Sequence, residues 1–146
     1  MYRRTHLAVW TLALLSCLFA LGVCAQEEPA FDPEMPPVVV KTFPAAGAKD
    51  VEAGLKEIRV TFDRPMQTEN AWSWIIQRRL GVYPGVRGGP PPRWENGGRT
   101  CVLPVSLKPG VLYAVGVNSF RHTGFKGRAG KVAVPFVWVF KTAAAK

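Results

Sequence analysis

The sequence predicts an all-β fold: an immunoglobulin-like antiparallel β-sandwich of about seven strands with Greek-key connections. Three observations carry this prediction. Short runs of β-branched and aromatic residues recur at regular spacing, with little helical periodicity. One run, residues 57–62, alternates between apolar and polar side chains as a half-buried strand does. Residues 107–113 place a turn directly before a tyrosine that opens the next strand.

That turn and its tyrosine make residues 107–113 the most informative stretch for the fold. Pro109 presets φ at about −65°, and Gly110 accepts a positive φ, so the pair predicts a tight turn. The ring of Tyr113 can then enter the core while its hydroxyl bonds to nearby backbone, which is the tyrosine corner of Greek-key sandwiches. Structural roles are therefore expected for Leu107, Pro109, Gly110 and Tyr113.

Residues 1–25 have the organisation of a secretory signal. Arg3 and Arg4 supply a basic start, residues 7–23 form an uncharged apolar run, and small residues precede a cleavage point after Ala25. The protein is therefore expected to be exported to the periplasm, the cell surface or the extracellular medium.

Two alternatives to simple cleavage stay open. The apolar run of about 17 residues approaches the length that spans a bilayer, so the segment could remain as an uncleaved anchor. Residues 14–17 (Leu-Leu-Ser-Cys) resemble a bacterial lipobox, so lipidation at Cys17 is the second alternative. Membrane contact is expected only through this segment. Cleavage leaves residues 26–146, an ordinary size for one domain.

Two regions follow the signal. Residues 26–36 are acidic and rich in proline, without hydrophobic periodicity, and are interpreted as an extended linker. Residues 37–146 form the predicted sandwich domain. The main strands are expected at residues 38–43, 57–62, 71–80, 100–105, 111–117 and 136–142, with shorter extended pieces at 82–83 and 93–94.

Prolines and apolar residues suggest where these strands lie in their sheets. Pro37 and Pro44 flank the first strand, and Pro104 interrupts the fourth, so each suits a sheet edge or a bulge. The last strand is apolar on both faces and is expected inside its sheet. Residues 71–80 allow a strand or a helical turn. The strand is preferred, with its two tryptophans as core anchors.

Charge is distributed unevenly along the chain. Residues 26–69 carry nine acidic and five basic groups, whereas residues 70–146 carry twelve basic groups and a single acid, Glu95. A basic half outside the cytoplasm would attract polyanions such as acidic polysaccharides. A domain with a basic surface and no specific partner is the plainer interpretation.

Four motifs occur in an order that resembles a known family. They are Pro-Ala-Ala-Gly-Ala-Lys-Asp-Val at 44–51, Ile-Arg-Val-Thr-Phe-Asp-Arg-Pro-Met at 58–66, the turn and tyrosine of 107–113, and Phe-Lys-Thr at 140–142. Over about residues 37–142 the chain resembles the bacterial immunoglobulin-like domain named after the SbsA surface-layer protein. The resemblance implies an exported, non-catalytic module of surface-layer, adhesive or multidomain secreted proteins. In that family the loop before the last strand usually carries acids.

No constellation of residues points to catalysis or to a metal site. Glu95 is the only acid beyond residue 69, so facing carboxylates are not expected. After cleavage one cysteine and one histidine remain, Cys101 and His122, too few for zinc. Cys101 alternates with apolar neighbours and is expected to be a small buried side chain. Residues 124–130 carry no acid, which argues against a bound ion in that loop. The sequence therefore predicts no enzyme activity, no metal and no cofactor.

The expected function is a structural or interaction role at the bacterial cell envelope, and binding of a carbohydrate or polyanion by the basic loop is the alternative. The loop 120–131 combines glycines, basic residues and two phenylalanines that are expected to be exposed. An envelope polysaccharide or another envelope protein is the expected partner, and export argues against nucleic acid. The candidate binding residues are Phe120, Arg121, Phe125, Lys126 and Arg128.

Overall fold

A computed structural model describes Asp32 and residues 34–145. The expected signal, its cleavage point and the alternative lipidation site lie outside the described residues. The described residues belong to one compact unit, and no helix among them is long and apolar enough to cross a membrane.

The described residues form seven strands in two antiparallel sheets, which is an immunoglobulin-like sandwich. The strands are β1 Val39–Phe43, β2 Glu57–Phe62, β3 Trp74–Ile76, β4 Arg93–Glu95, β5 Thr100–Pro104, β6 Leu112–Val117 and β7 Phe136–Lys141. One sheet has the order β1-β2-β5-β4 and the other the order β3-β6-β7. This is the division of strands found in constant-type immunoglobulin domains. The predicted fold class is confirmed.

β2 shows how alternation in the sequence builds the core. Ile58, Val60 and Phe62 are buried, while the residues between them are only half-buried. Each fully buried side chain of this kind contributes roughly 1.5–3 kcal/mol of hydrophobic stabilisation. The other sheet supplies the facing core residues Tyr113, Val115, Val117, Trp138 and Phe140.

The third and fourth sequence motifs meet at the end of the sandwich. The Tyr113 hydroxyl accepts a hydrogen bond from Lys108 N at 2.7 Å, which is the geometry of a tyrosine corner. Thr142 Oγ1 donates to Lys108 O at 2.6 Å and accepts from Val111 N at 2.9 Å. Gly110 adopts φ 70°, the conformation that the turn requires.

The expectation that the last strand lies inside its sheet is wrong. β7 pairs with β6 alone and is an edge strand. Its outer edge is covered by residues 47–51: Gly47 N donates to Val139 O at 2.7 Å, and Lys141 N donates to Ala48 O at 2.7 Å. This irregular segment covers the edge, so β7 can be apolar on both faces without a regular strand on each side.

The strand expected at 71–80 is much shorter in the structure. β3 covers Trp74–Ile76, and the chain then turns, with Leu80 N donating to Gln77 O at 2.9 Å. Ile76 is 50% exposed and does not join the core. The alternation in the sequence therefore describes only the first half of this segment.

The prolines mark sheet positions with mixed accuracy. β1 is an edge strand, as Pro37 and Pro44 indicate. β5 lies between β2 and β4, so Pro104 does not place it at an edge. β4 begins at Arg93, which pairs with Val102, and Pro104 lies beyond that paired region. There the proline removes no donor that β4 needs.

The last residues of the expected linker 26–36 contact the sandwich. Arg64 Nη1 donates to the carbonyl oxygens of Asp32 and Met35, at 3.0 Å each. Lys131 Nζ lies 2.7 Å from a carboxylate oxygen of Glu34. This described end is therefore a turn held against the domain, not an extended linker.

Candidate functional site

The predicted binding loop 120–131 is divided by Phe125. The side chain of Phe125 is 0% exposed, whereas that of Phe120 is fully exposed. Phe125 packs at ring-centroid distances of 5.3 Å from Phe62, 5.3 Å from Trp74 and 5.9 Å from Trp94. The expectation that Phe125 is an exposed binding residue is therefore wrong, because the aromatic core takes its ring.

Asn118 holds the loop in this arrangement. It is buried, with φ 57°, and its side chain accepts a hydrogen bond from Phe125 N at 3.0 Å. The same amide donates to Phe125 O at 2.9 Å and to Ala133 O at 3.0 Å. The residue type alone does not distinguish Asn118 from other polar residues at the end of a strand. Its position before an expected loop is the one feature that could have suggested this role.

The turn 119–122 presents Phe120 and Arg121 to solvent. Ser119 N donates to His122 O at 2.8 Å, and Ser119 Oγ accepts from the backbone N–H groups of Arg121 at 3.3 Å and His122 at 3.1 Å. Both Phe120 and Arg121 are exposed. A local hydrogen-bond network therefore fixes a turn whose tip carries an aromatic and a guanidinium group.

The remaining basic residues of the loop contact a different part of the sandwich. Lys126 is half-buried, and its carbonyl accepts from Gln67 N at 2.9 Å. Arg128 is exposed and donates to Gly97 O at 3.3 Å. Arg128 and Lys131 line a small pocket of about 230 Å³ together with Met35. The five predicted binding residues therefore do not form one surface. Phe125 is in the core, Phe120 and Arg121 project into solvent from one turn, and Lys126 and Arg128 contact other segments.

A larger cleft lies beside β3, with a volume of about 440 Å³. Residues 72–75 and the proline triplet 90–92 are part of its lining. Tyr83 and His122 complete the polar and aromatic part of the lining. This cleft could not be predicted from the sequence, because its lining comes from segments that lie apart in the chain.

Close backbone approaches shape two walls of the cleft. A Cβ at Gly124 would lie 2.4 Å from Trp72 O, so only glycine lets the loop approach this closely. Gly124 N donates to Ser73 Oγ at 2.7 Å across the same contact. A Cβ at Gly85 would lie 2.5 Å from the ring of Tyr83, so that ring lies directly against the backbone. These contacts fix the positions of β3 and Tyr83 at the cleft.

The one acid of the basic half lies on the other sheet. Glu95, on β4, approaches Arg93 at 3.0 Å and Arg59 at 3.7 Å. Arg93 also binds Glu57 at 2.7 Å, and the hydrogen bond from Arg93 lowers the pKa of the Glu57 carboxyl. These opposite charges offset one another on the four-stranded sheet. The cleft and β3 lie in the part of the chain that is otherwise without acids.

Cys101 is buried in the core on β5. Burial raises the pKa of its thiol to about 12, against an opposing effect of the neighbouring Trp74 indole. The indole Nε1 makes no hydrogen bond of ordinary geometry in the described structure. A thiol held protonated in an apolar core is a poor nucleophile and a poor metal ligand. Within the described residues, no group of three or more His, Cys, Asp or Glu side chains could hold a metal ion.

The sequence matches the family described as bacterial Ig-like domain over residues 33–142. The chain belongs to this family. In this bacterial Ig-like domain, the core lies between sheets of four and three strands, and Tyr113 makes the corner hydrogen bond. No curated protein sequence matches the chain.

Solved structures similar to this bacterial Ig-like domain share only low sequence identity with it. CopC from Methylosinus trichosporium OB3b is 16% identical, with a TM-score of 0.52 over 75% of this chain and 96% of that protein. Two structures of the S-layer protein SbsC, one of them of domains 1–6, are 19% identical at a TM-score of 0.48. They cover 75% of this chain and 14% of the SbsC chain. At this identity the CopC likeness shows the fold alone.

Proposed function

We propose that the chain is an exported, non-catalytic interaction module of the bacterial cell envelope, of the SbsA type that its four ordered motifs resemble. The observation that carries this proposal is the open cleft beside β3, bordered by the turn that presents Phe120 and Arg121. Exposed aromatic and arginine side chains are typical of energetically dominant residues at protein interfaces. The order of motifs, from 44–51 to 140–142, supports an envelope role by resemblance.

Binding to envelope fractions tests this function directly. The exported protein is incubated with cell envelopes prepared from the producing bacterium, and its retention is measured after washing at low and high salt. Retention that depends on Phe120 and Arg121 is expected, with Lys41→Ala as an exposed control on the other sheet. A protein that remains wholly in the supernatant would overturn the proposal.

A second candidate function is binding of an acidic envelope polysaccharide by the basic loop 120–131. It is supported by the exposure of Arg121 and Arg128, neither of which forms an ion pair within the described residues. Its test is retention on purified envelope polysaccharide after Arg121→Ala, Lys126→Ala and Arg128→Ala. Unchanged retention of the three variants would show that the loop does not bind the polysaccharide. Protease treatment of the envelopes separates the two candidates, because it destroys a protein partner and spares a polysaccharide.

A further inference from the structure

β3 presents an open sheet edge to the cleft. It lies at the end of the order β3-β6-β7 and pairs with β6 only. Asn118 N donates to Ser73 O at 3.0 Å, and hydrogen-bonded positions alternate along an antiparallel pair. Ser73 and Ile75 therefore bond towards β6, while the N–H and C=O groups of Trp74 and Ile76 point away from it. No backbone hydrogen bond within the described chain uses those outward groups.

We propose that this edge receives an extended, acidic polypeptide segment of a partner protein, which adds to the sheet as a strand beside β3. The inference rests on the proposed interaction function and names the partner for the same cleft. An added strand gains affinity from main-chain hydrogen bonds and specificity from pockets for its alternate side chains. Here the outward groups of Trp74 and Ile76 supply the hydrogen bonds.

Side chains along the edge offer apolar contacts to such a strand. Ile76 is 50% exposed, and it lines a second, smaller pocket with Trp74 and His122. Phe120 is fully exposed on a turn whose backbone is already held by hydrogen bonds, so that backbone needs no further ordering when the ring binds. Tyr83, held against Gly85, lines the adjoining cleft.

Positively charged residues at both ends of the β3 edge favour an acidic partner. Arg78 and Arg79 follow β3 directly and are exposed, and Arg121 is exposed on the turn beside its start. The nearest acid in the sequence, Glu69, lines a separate pocket with Arg128. A strand with acidic side chains would therefore meet opposite charge at both of its ends.

A second copy of the chain is a poorer occupant of the same edge. Antiparallel pairing of two β3 edges would bring Arg78 and Arg79 of one copy towards Arg121 of the other. Like charges placed opposite each other across a strand pair are destabilising. The basic surface therefore disfavours self-association through β3 and favours a partner of opposite charge.

The test uses a displayed library of random peptides of about eight residues, the length of a strand, selected on the exported protein. The enriched peptides are expected to be acidic and rich in β-branched residues. Ile76→Pro removes an outward N–H that β6 does not use, so it is expected to lower the affinity for these peptides about tenfold. Ile76→Val is the matched control, because it retains the N–H and an apolar β-branched side chain, and its affinity for the peptides should lie within about threefold of the wild type.

A second pair of variants does not depend on how well Ile76→Pro folds. Arg79→Glu reverses one exposed charge beside β3, and Lys41→Glu makes the same change on the other sheet. Of these two variants, only Arg79→Glu is expected to lower the affinity for the acidic peptides, by severalfold. Enriched peptides without acidic residues, or peptides that bind both Ile76 variants equally, would overturn the edge assignment. Envelope retention that persists in Ile76→Pro would show that the proposed function holds and that only this inference fails. A concentration-dependent dimer that Arg79→Glu strengthens would assign the edge to a second copy instead.

Discussion

The Tyr113 hydroxyl oxygen lies 2.7 Å from Lys108 N, five residues earlier in the chain. This hydrogen bond joins the turn at Pro109 to the side chain of Tyr113, whose ring lies in the core. Replacing Tyr113 by Phe removes one partly buried hydrogen bond and leaves Lys108 N without its acceptor. We expect the free energy of unfolding to fall by about 1 kcal/mol, measured by urea denaturation.

Tyr83→Phe is the matched control for this prediction. The described structure shows no hydrogen bond to the Tyr83 hydroxyl, so removing it should change stability by less than about 0.5 kcal/mol. Equal effects of the two substitutions would show that the corner hydrogen bond contributes nothing specific.

The hydrogen bonds of Thr142 lead to a second prediction at the same turn. Its buried hydroxyl donates to Lys108 O at 2.6 Å and accepts from Val111 N at 2.9 Å. Thr142→Val keeps the shape of the side chain and leaves both backbone groups unsatisfied. We expect a loss of about 2 kcal/mol, larger than that of Tyr113→Phe, because two partners are affected. Thr142→Ser should recover most of the loss in the same denaturation experiment.

The contacts of Thr142 give a physical reason why the third and fourth sequence motifs occur together. Residues 107–113 and 140–142 are far apart in sequence, and their backbone groups share one hydroxyl in the structure. The strands around them could be predicted from their runs of β-branched and aromatic residues, and β2 from its alternation, which follows directly from burial of one face. The corner could also be predicted, because the turn and the tyrosine are local.

Long-range arrangement could not be predicted in the same way. The outer edge of β7 is covered through backbone hydrogen bonds to residues 47–51, and such bonds leave no side-chain pattern in the sequence. Phe120 and Phe125 stand in the same glycine-rich loop and look equivalent in the sequence. The Asn118 side chain bonds to the backbone of Phe125 and holds that residue in the core, whereas Phe120 is exposed to solvent. The cleft was missed because it is formed between distant segments.

Burial of Cys101 predicts a thiol without reactivity in the folded protein. The pKa of about 12 follows mainly from burial, which disfavours the thiolate. At neutral pH we expect no labelling by a maleimide reagent over hours, and rapid stoichiometric labelling after addition of guanidinium chloride. Labelling of the folded protein at the rate of a free thiol would show that the core opens at β5 far more readily than its packing implies.

The lowered pKa of Asp63, which lies beside β1, makes the free energy of unfolding depend on pH. Burial acts to raise the pKa of its carboxyl, but hydrogen bonds from Arg64 and from Val38 N outweigh it, and the net pKa is lowered. A lowered folded-state pKa adds stability that is fully present above the unfolded value of about 3.9. That stability is lost as pH falls through the folded-state pKa.

Asp63→Asn should therefore destabilise the protein by about 1–2 kcal/mol at pH 7. The difference from wild type should shrink as the pH is lowered below about 4. Thermal melts between neutral and acidic pH measure it, with the exposed Asp50→Asn as a control for the change in net charge. A difference that stays constant at acidic pH would show that the carboxylate charge is not the source of the stabilisation.

Phe120 and Phe125 form a natural pair of variants for separating folding from binding. Phe125 is fully buried among Phe62, Trp74 and Trp94, so Phe125→Ala should cost about 3–5 kcal/mol and can unfold the domain. Phe120 is fully exposed, so Phe120→Ala should change stability by less than about 0.5 kcal/mol. Phe125→Leu, which retains part of the buried volume, should fall between the two and keep the fold measurable. If Phe120→Ala proved as destabilising as Phe125→Leu, the ring of Phe120 would have to be packed in solution, and its role as an exposed binding group would be lost.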